Sequence, residues 1–349
     1  MAYTDIDKPS DYIRIQTWSG NNSADREITW TETDNMQPDW IWVKRRSDTA
    51  NHRLADSVRG ATKILRSDTN GAETTESDDT LSFDTNGFSV GSNSGVNKTG
   101  DTYVGWGWLA GGTASSNTDG SITSTVSAST VSGFSIVSYT GNGTAGATIG
   151  HSLGFVPKMI IVKSRSDTGV WAVYNENIGN SNGLFLNANY NALSEPAFWN
   201  STSPTSSVFS VGTSNDTNGS GRTYIAYCFA EKKGFSKAFS YTGNGSSDGS
   251  FCYLGFRPAF IMIKGTSIYS DWGIWDNKRP EYNVVNLTLQ PHKDNAEVVS
   301  VGRDIDILSN GFKGRGTSSS MNSSGATYVG IAFAESPFVT STGIPTTAR

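Results

Sequence analysis

The chain has 349 residues and a net charge of −5, with only 17% charged residues, 38 glycines and abundant Ser, Thr and Asn. Gly, Ser, Thr and Asn propagate helices poorly, and no basic footprint of the kind nucleic-acid binding requires is present. Long helices and nucleic-acid partners are therefore not expected, and the length suits two or three domains of roughly 100–150 residues each.

In chain order, the opening MAYTDIDKPSDY lacks a basic segment followed by an apolar core, so no signal peptide is expected. No apolar run reaches the roughly 18–20 residues that a bilayer crossing takes, so neither is membrane insertion. DYIRIQTWSGNN from Asp11 reads as an extended segment ending in a turn. QPDWIWVKRR from Gln37 reads as a strand, with Lys44 six residues after Pro38; its basic end, Lys44 to Arg46, reads as a solvated rim. The loop ADSVRG from Ala55, the acidic run TTESDDT from Thr74 and the Asn-Gly hairpin signal TNGF at Thr85–Phe88, matched later by SNGF at Ser309–Phe312, follow. The closing strand is TYVGWGWLA from Thr102. Residues 113–132, TASSNTDGSITSTVSASTVS, show no core pattern and read as a Ser/Thr/Gly-rich linker or a loosely attached strand.

The same phrases then return. GFSIVSYTGNG from Gly133 and GFSKAFSYTGNG from Gly234 are near-copies, each ending in a TGNG turn. PKMIIVKSR from Pro157 and PAFIMIKG from Pro258 match the first proline strand. Lys163 and Lys264 again lie six residues after their prolines, and Trp171 and Trp272 fourteen after; position 52, in the first copy, is His. Tyr103, Tyr224 and Tyr328 mark the closing strands, 15, 15 and 16 residues after Phe88, Phe209 and Phe312. Low complexity alone does not preserve such intervals, and a fixed period is the mark of repeat architecture.

The expectation is an all-β chain of three related modules at 8–112, 133–233 and 234–337, with a tail at 338–349. Each is read as an antiparallel β-sandwich, jelly-roll or lectin-like, of about 7–10 short strands. Pro38, Pro157, Pro258, the three lysines, Trp171, Trp272 and the three tyrosines are its structural anchors. The lysines are expected to lay their stems on apolar surface with the ammonium in water. Along the second closing strand Tyr224, Ala226, Cys228 and Ala230 share one face, and Ile225, Tyr227 and Phe229 the other.

Catalytic chemistry is sparse. His52, His151 and His292 have no metal-ligand spacing and do not recur at matching positions, and no GxSxG, P-loop or dinucleotide fingerprint is present. No catalytic residue and no cofactor is expected. Cys228 and Cys252 read as buried thiols, with a bond between them left open. Glu76, Asp78 and Asp79 are a weak candidate for a hard cation, set against a solvated acidic loop. Trp18, Trp30, Trp199 and Tyr190, in or near predicted loops, are candidates for a glycan- or protein-binding surface. The sequon Asn97-Lys98-Thr99 is read as accidental.

KPSDYIRIQTWSGNN from Lys8, QPDWIWVKRRS, ADSVRG, TNGFSVGSNSGVNKTGDTYVGWGW and LGFVPKMIIVKSR with YIAYCFAE resemble domains in structural proteins of tailed bacteriophages, above all marine and cyanobacterial phages, often labelled tail fibre. The resemblance implies lectin-like sandwiches, a place on the exterior of a particle assembled from a protein made in the host cytoplasm, and contacts with other virion proteins. It also implies a homo-oligomer, with a trimer favoured, and attachment to a host-surface glycan or protein. If the ADSVRG loop is a ligand site in such domains, Asp56 and Arg59 inherit it. The readings that compete are a capsid decoration or head-fibre protein, a polysaccharide-degrading enzyme, and a secreted carbohydrate-binding module.

Overall fold

A computed structural model describes residues 3–299 and 302–346. The chain is all-β: its strands are short and antiparallel, and its only α-helical segment among the described residues is the single turn Pro196–Trp199. Three large sheets share one strand order. An opening strand pairs with the closing strand, which pairs with the proline strand, which pairs with a short strand at or just after the tryptophan position. In the first unit these are Ile13–Ser19, Thr102–Trp108, Trp40–Arg45 and Arg53–Asp56. In the second they are Phe134–Thr140, Thr223–Ala230, Pro157–Ser164 and Ala172–Asn175, and in the third Ser236–Thr242, Thr327–Pro337, Phe256–Gly265 and Gly273–Asp276. The register matches too: Trp18 faces Tyr103, Tyr139 faces Tyr224 and Tyr241 faces Tyr328.

Alternation along the closing strands sorts their two faces. Ile225, Tyr227 and Phe229 join a core shared with Val104, Trp106 and Trp108 of the first unit and Val329, Ile331 and Phe333 of the third. Tyr224, Ala226 and Cys228 face outward under a small two-stranded sheet, Ala147–Gly150 with Val208–Val211. In the first unit Gly105 and Gly107 occupy the outward positions because tryptophan rings lie directly on them. A Cβ on Gly107 would come within 2.7 Å of the Trp30 ring. Each large sheet is thus one layer of a small sandwich on its outer face, while the three inner faces pack against one another. The modules share a core and are not beads on a string.

Both Asn-Gly signals form two-residue hairpins, Asp84 facing Gly87 and Leu308 facing Gly311. The TGNG segments instead lie against asparagine loops: Asn142 and Asn244 donate their backbone N–H groups to the Oδ1 atoms of Asn218 and Asn322. Of the two readings of residues 113–132, the structure has the strand and not the linker. Ser115–Asn117 and Ser124–Ser129 extend the second large sheet beside Phe134–Thr140, and Val126 is buried. Serine and threonine hide this strand pattern because their small side chains pack on a sheet without an apolar signature.

Candidate functional site

The recurring side chains converge on three junctions that close the units into a ring. Asn70, Asn189 and Asp294 sit in matching loops of the first, second and third units, and each presents its backbone carbonyl to the next unit. Lys163 Nζ donates to Asn70 O at 3.4 Å, Lys264 Nζ to Asn189 O at 3.4 Å, and Lys44 Nζ to Asp294 O at 3.2 Å. Three residues further on, the N–H groups of Glu73, Ala192 and Glu297 donate to the carbonyls of Arg165, Thr266 and Arg46 at 2.8–2.9 Å. Four residues before, the carbonyls of Arg66 and Phe185 accept from the indoles of Trp171 and Trp272 at 3.0 and 2.8 Å. His52 makes the corresponding contact to Gln290 O at 3.0 Å, so histidine keeps the tryptophan's role. The first unit therefore grips the second, the second the third, and the third the first.

This corrects the expectation for the lysines. Lys44, Lys163 and Lys264 are completely buried, with ammonium groups that also bond carbonyls of Arg45, Ser164 and Gly265 rather than water. Burial pushes their pKa values down to about 8, 8 and 7, against partial support from nearby aspartates. Each serves a different junction, so they do not converge on one substrate.

Two junctions carry buried ion networks. At the first, Arg59 pairs with Asp56 and with Glu73 at 3.1 Å, Glu73 pairs across the seam with Arg165 at 2.9 Å, and Tyr227 of the second unit donates to Asp56 at 2.8 Å. At the closing junction Arg279 pairs with Asp276 and Glu297, both at 2.7 Å, and Glu297 with Arg46 at 2.8 Å. Trp106 there donates to Asp276 at 3.0 Å, in the place of Tyr227. Burial alone lowers the pKa of Arg59 and Arg279, but the surrounding carboxylates outweigh it and raise both. The second junction has Asn175, Ile178 and Ala192 at the matching positions and no such network. The D-x-x-R spacing of Asp56–Arg59 returns in the third unit as Asp276–Arg279, a match legible in the sequence once IWDNKRP is aligned on its aspartate.

Asp56 and Arg59 are thus interior and hold a junction together instead of facing a ligand. Trp18, Trp30 and Trp199 are also buried, so they do not form a binding surface. The indoles of Trp18 and Trp30 donate to Val96 O and Met36 O, and Trp199 packs edge-on against Tyr174. Trp18 lies within the opening strand, Trp30 just after the short strand Arg26–Thr29 and Trp199 in the single helical turn, and each ring packs into the core under the outer sheet of its unit. Tyr103, Tyr224 and Tyr328 are buried anchors with one shared pattern, each hydroxyl donating to a carbonyl nine residues earlier, of Ser94, Asn215 and Ser319. Pro38, Pro157 and Pro258 are buried two residues before, at the start of and two residues into their strands, beside the far end of each closing strand. In the acidic run, Glu76 pairs with Arg66 and Asp79 with Arg53, and among the described residues no three His, Cys, Asp or Glu side chains could hold a metal. Asn97 is fully buried and accepts from the Asn21 N–H, which removes its sequon from consideration. Cys228 and Cys252 are free buried thiols, and burial pushes the Cys252 pKa up to about 12. His151 is buried and sits at 3.2 Å from Thr205 O, while His292 lies 2.9 Å from Asp271.

Residues 8–337, spanning all three units and the segment between the first two, match DUF7483, a domain of unknown function. The chain belongs to that family. No curated protein and no solved structure matches it.

Of the sequence-derived surface candidates, only Tyr190 is exposed; it meets Tyr269 edge-on at 5.8 Å between ring centroids, over the second junction. A second open feature is a cleft of about 470 Å³ between the second and third units. Lys237 there bonds Tyr253 O, and Lys232 lies 3.5 Å from the centroid of the Phe155 ring beside it. No helix of the described residues is long and apolar enough to cross a membrane.

Proposed function

We propose that the protein is a non-enzymatic structural component of a bacteriophage particle, associated with the tail or its fibres, and that its three units are copies of one ancestral module. The observation that carries this reading is the ring of junctions. The recurring lysines, the Trp or His eight residues after each of them and the two Asp–Arg pairs bind one unit to the next, and the recurring tyrosines and prolines hold each unit together, so what the repeat preserves is a rigid body rather than a reaction centre. The phage-protein resemblance of the repeated phrases supports the same reading. A ring that closes within one chain supplies the threefold arrangement a homotrimer would otherwise supply. Association with further copies or other virion proteins then uses the outer sheets and loops, and host-surface attachment falls to exposed groups such as Tyr190 and Tyr269.

The test is mass spectrometry of purified particles with antibody labelling in negative stain. Label at the tail supports the proposal, and label confined to the particle interior, or none, ends it. A decoration role is separated by copy number, since tens to hundreds of copies per particle point to the shell. An enzyme acting on host polysaccharide is separated by a reducing-end assay on host envelope glycan.

A further inference from the structure

Between the first and third units lies a cavity of about 130 Å³. Three of its lining side chains have polar atoms that are buried and lack a hydrogen-bond partner among the described residues: Arg14 Nη2, Glu32 Oε2 and Asn277 Oδ1. Arg14 is only 2% exposed. Its other nitrogens are placed, Nε on Ser10 O at 2.6 Å and Nη1 on Asn86 Oδ1 at 3.1 Å, which fixes the guanidinium with its third corner turned to the cavity. Glu32 Oε1 has Lys278 at 3.5 Å, leaving Oε2 to the cavity. Glu335 stands at the exposed rim, and Ala259 and Ala334 form an apolar wall. Buried polar atoms in folded proteins almost always have partners, in the protein or in ordered water, so three atoms without a protein partner around one space mark a place for water or for a guest that replaces it.

The donor set narrows the guest. A carboxylate or phosphate would meet Arg14 but also the free oxygen of Glu32. An ammonium or a metal cation would meet Glu32 but also the guanidinium. A hydroxyl satisfies both, accepting from Arg14 and donating to Glu32, and a second hydroxyl beside it pairs with the Asn277 amide whichever end of that amide faces it. Carbon-bound hydrogens of the same guest can lie on Ala259 and Ala334. The volume, about four waters' worth at ~30 Å³ each, holds the diol edge of a sugar with the rest of the ring passing out beside Glu335.

We propose that this cavity is a binding site for adjacent hydroxyls of a neutral saccharide or polyol, anchored by Arg14, Glu32 and Asn277. Its chemistry is independent of where the protein resides, so the site can stand if the particle location fails, and the reverse. The test uses the full chain, with saturation-transfer NMR and calorimetry against methyl α-mannoside, methyl β-galactoside and myo-inositol, and with acetate and phosphate as comparisons. At least one of the three hydroxylated probes is expected to bind, and Glu32→Gln and Asn277→Ala are each expected to weaken it by about tenfold or more. The thermal midpoint of Asn277→Ala, whose side chain is half-buried, should barely change, which separates lost binding from lost folding. No binding by any hydroxylated probe, binding unaffected by both substitutions, or preference for acetate or phosphate would each overturn the proposal.

Discussion

The first and closing junctions carry buried carboxylate–guanidinium networks and the second does not, yet all three bring the same backbone groups together. Glu73 and Glu297 donate their N–H groups across a seam where Arg59 and Arg279 are buried in carboxylates, and Ala192 makes the same bond beside Asn175 and Ile178 without such a network. The shared parts are the lysine, the indole or imidazole, and the loop carbonyls. Those parts set the geometry, and the ion networks are additions to it. Burying two charges costs roughly as much as their attraction returns, so such networks contribute little net stability, but removing one partner alone is expensive.

This contrast can be broken at its charged side first. Arg59→Met strands Asp56 in the interior and is expected to cost about 3–5 kcal/mol in urea unfolding. Trp272→Ala removes the indole that holds the second junction and leaves a cavity, at a cost of about 3–5 kcal/mol. Converting the first junction to the form of the second, with Asp56→Asn, Arg59→Ile, Glu73→Ala, Arg165→Thr and Tyr227→Ile together, should change stability by no more than about 1–2 kcal/mol. That sits far below the Arg59→Met effect, and a larger loss in the quintuple variant would mean that the ions hold the seam.

Two titrations sharpen the comparison further. Lys264 has a pKa lowered to about 7 in the folded chain, whereas the unfolded chain keeps the ordinary lysine value, so the unfolded state binds more protons over the range between. Stability therefore rises with pH through that range, by about 2 kcal/mol between pH 7 and 9 from this group. Lys264→Met should remove that part of the slope, as read by denaturant midpoints at several pH values. His52 gives a smaller effect of acid. Its Nδ1 accepts from the Trp42 indole at 2.8 Å and its Nε2–H faces Gln290 O, so the neutral ring is fully used. Burial first, then Lys44, holds its pKa well below the usual histidine value. Stability lost as pH falls below about 6.5 should amount to about 1–2 kcal/mol by pH 5, and His52→Trp, which restores the residue of the other two junctions, should abolish that loss.

Much of this was legible in the sequence. The Pro–Lys–Trp intervals marked paired strands, the alternation from Thr223 to Ala230 assigned its two faces, and TNGF and SNGF marked hairpins. The ring was not legible, because the groups that receive Lys44, Lys163 and Lys264 are backbone carbonyls, and a carbonyl has no residue type to read. For the same reason the lysines looked like surface residues. Trp18, Trp30 and Trp199 were misread because neighbouring Gly, Asn and Ser mark a turn without saying where the element beside it ends or which way its ring faces. The cavity of Arg14, Glu32 and Asn277 joins residues from opposite ends of the chain, and no local pattern connects them.

The ring stands or falls on its closing contact, between Arg46 and Glu297, which are 251 positions apart. A double-mutant cycle with Arg46→Ala and Glu297→Ala in the full chain should give a coupling energy of about 1–3 kcal/mol. Coupling indistinguishable from zero, within about 0.3 kcal/mol, would contradict the closing contact between these side chains of the first and third units on which the ring account rests.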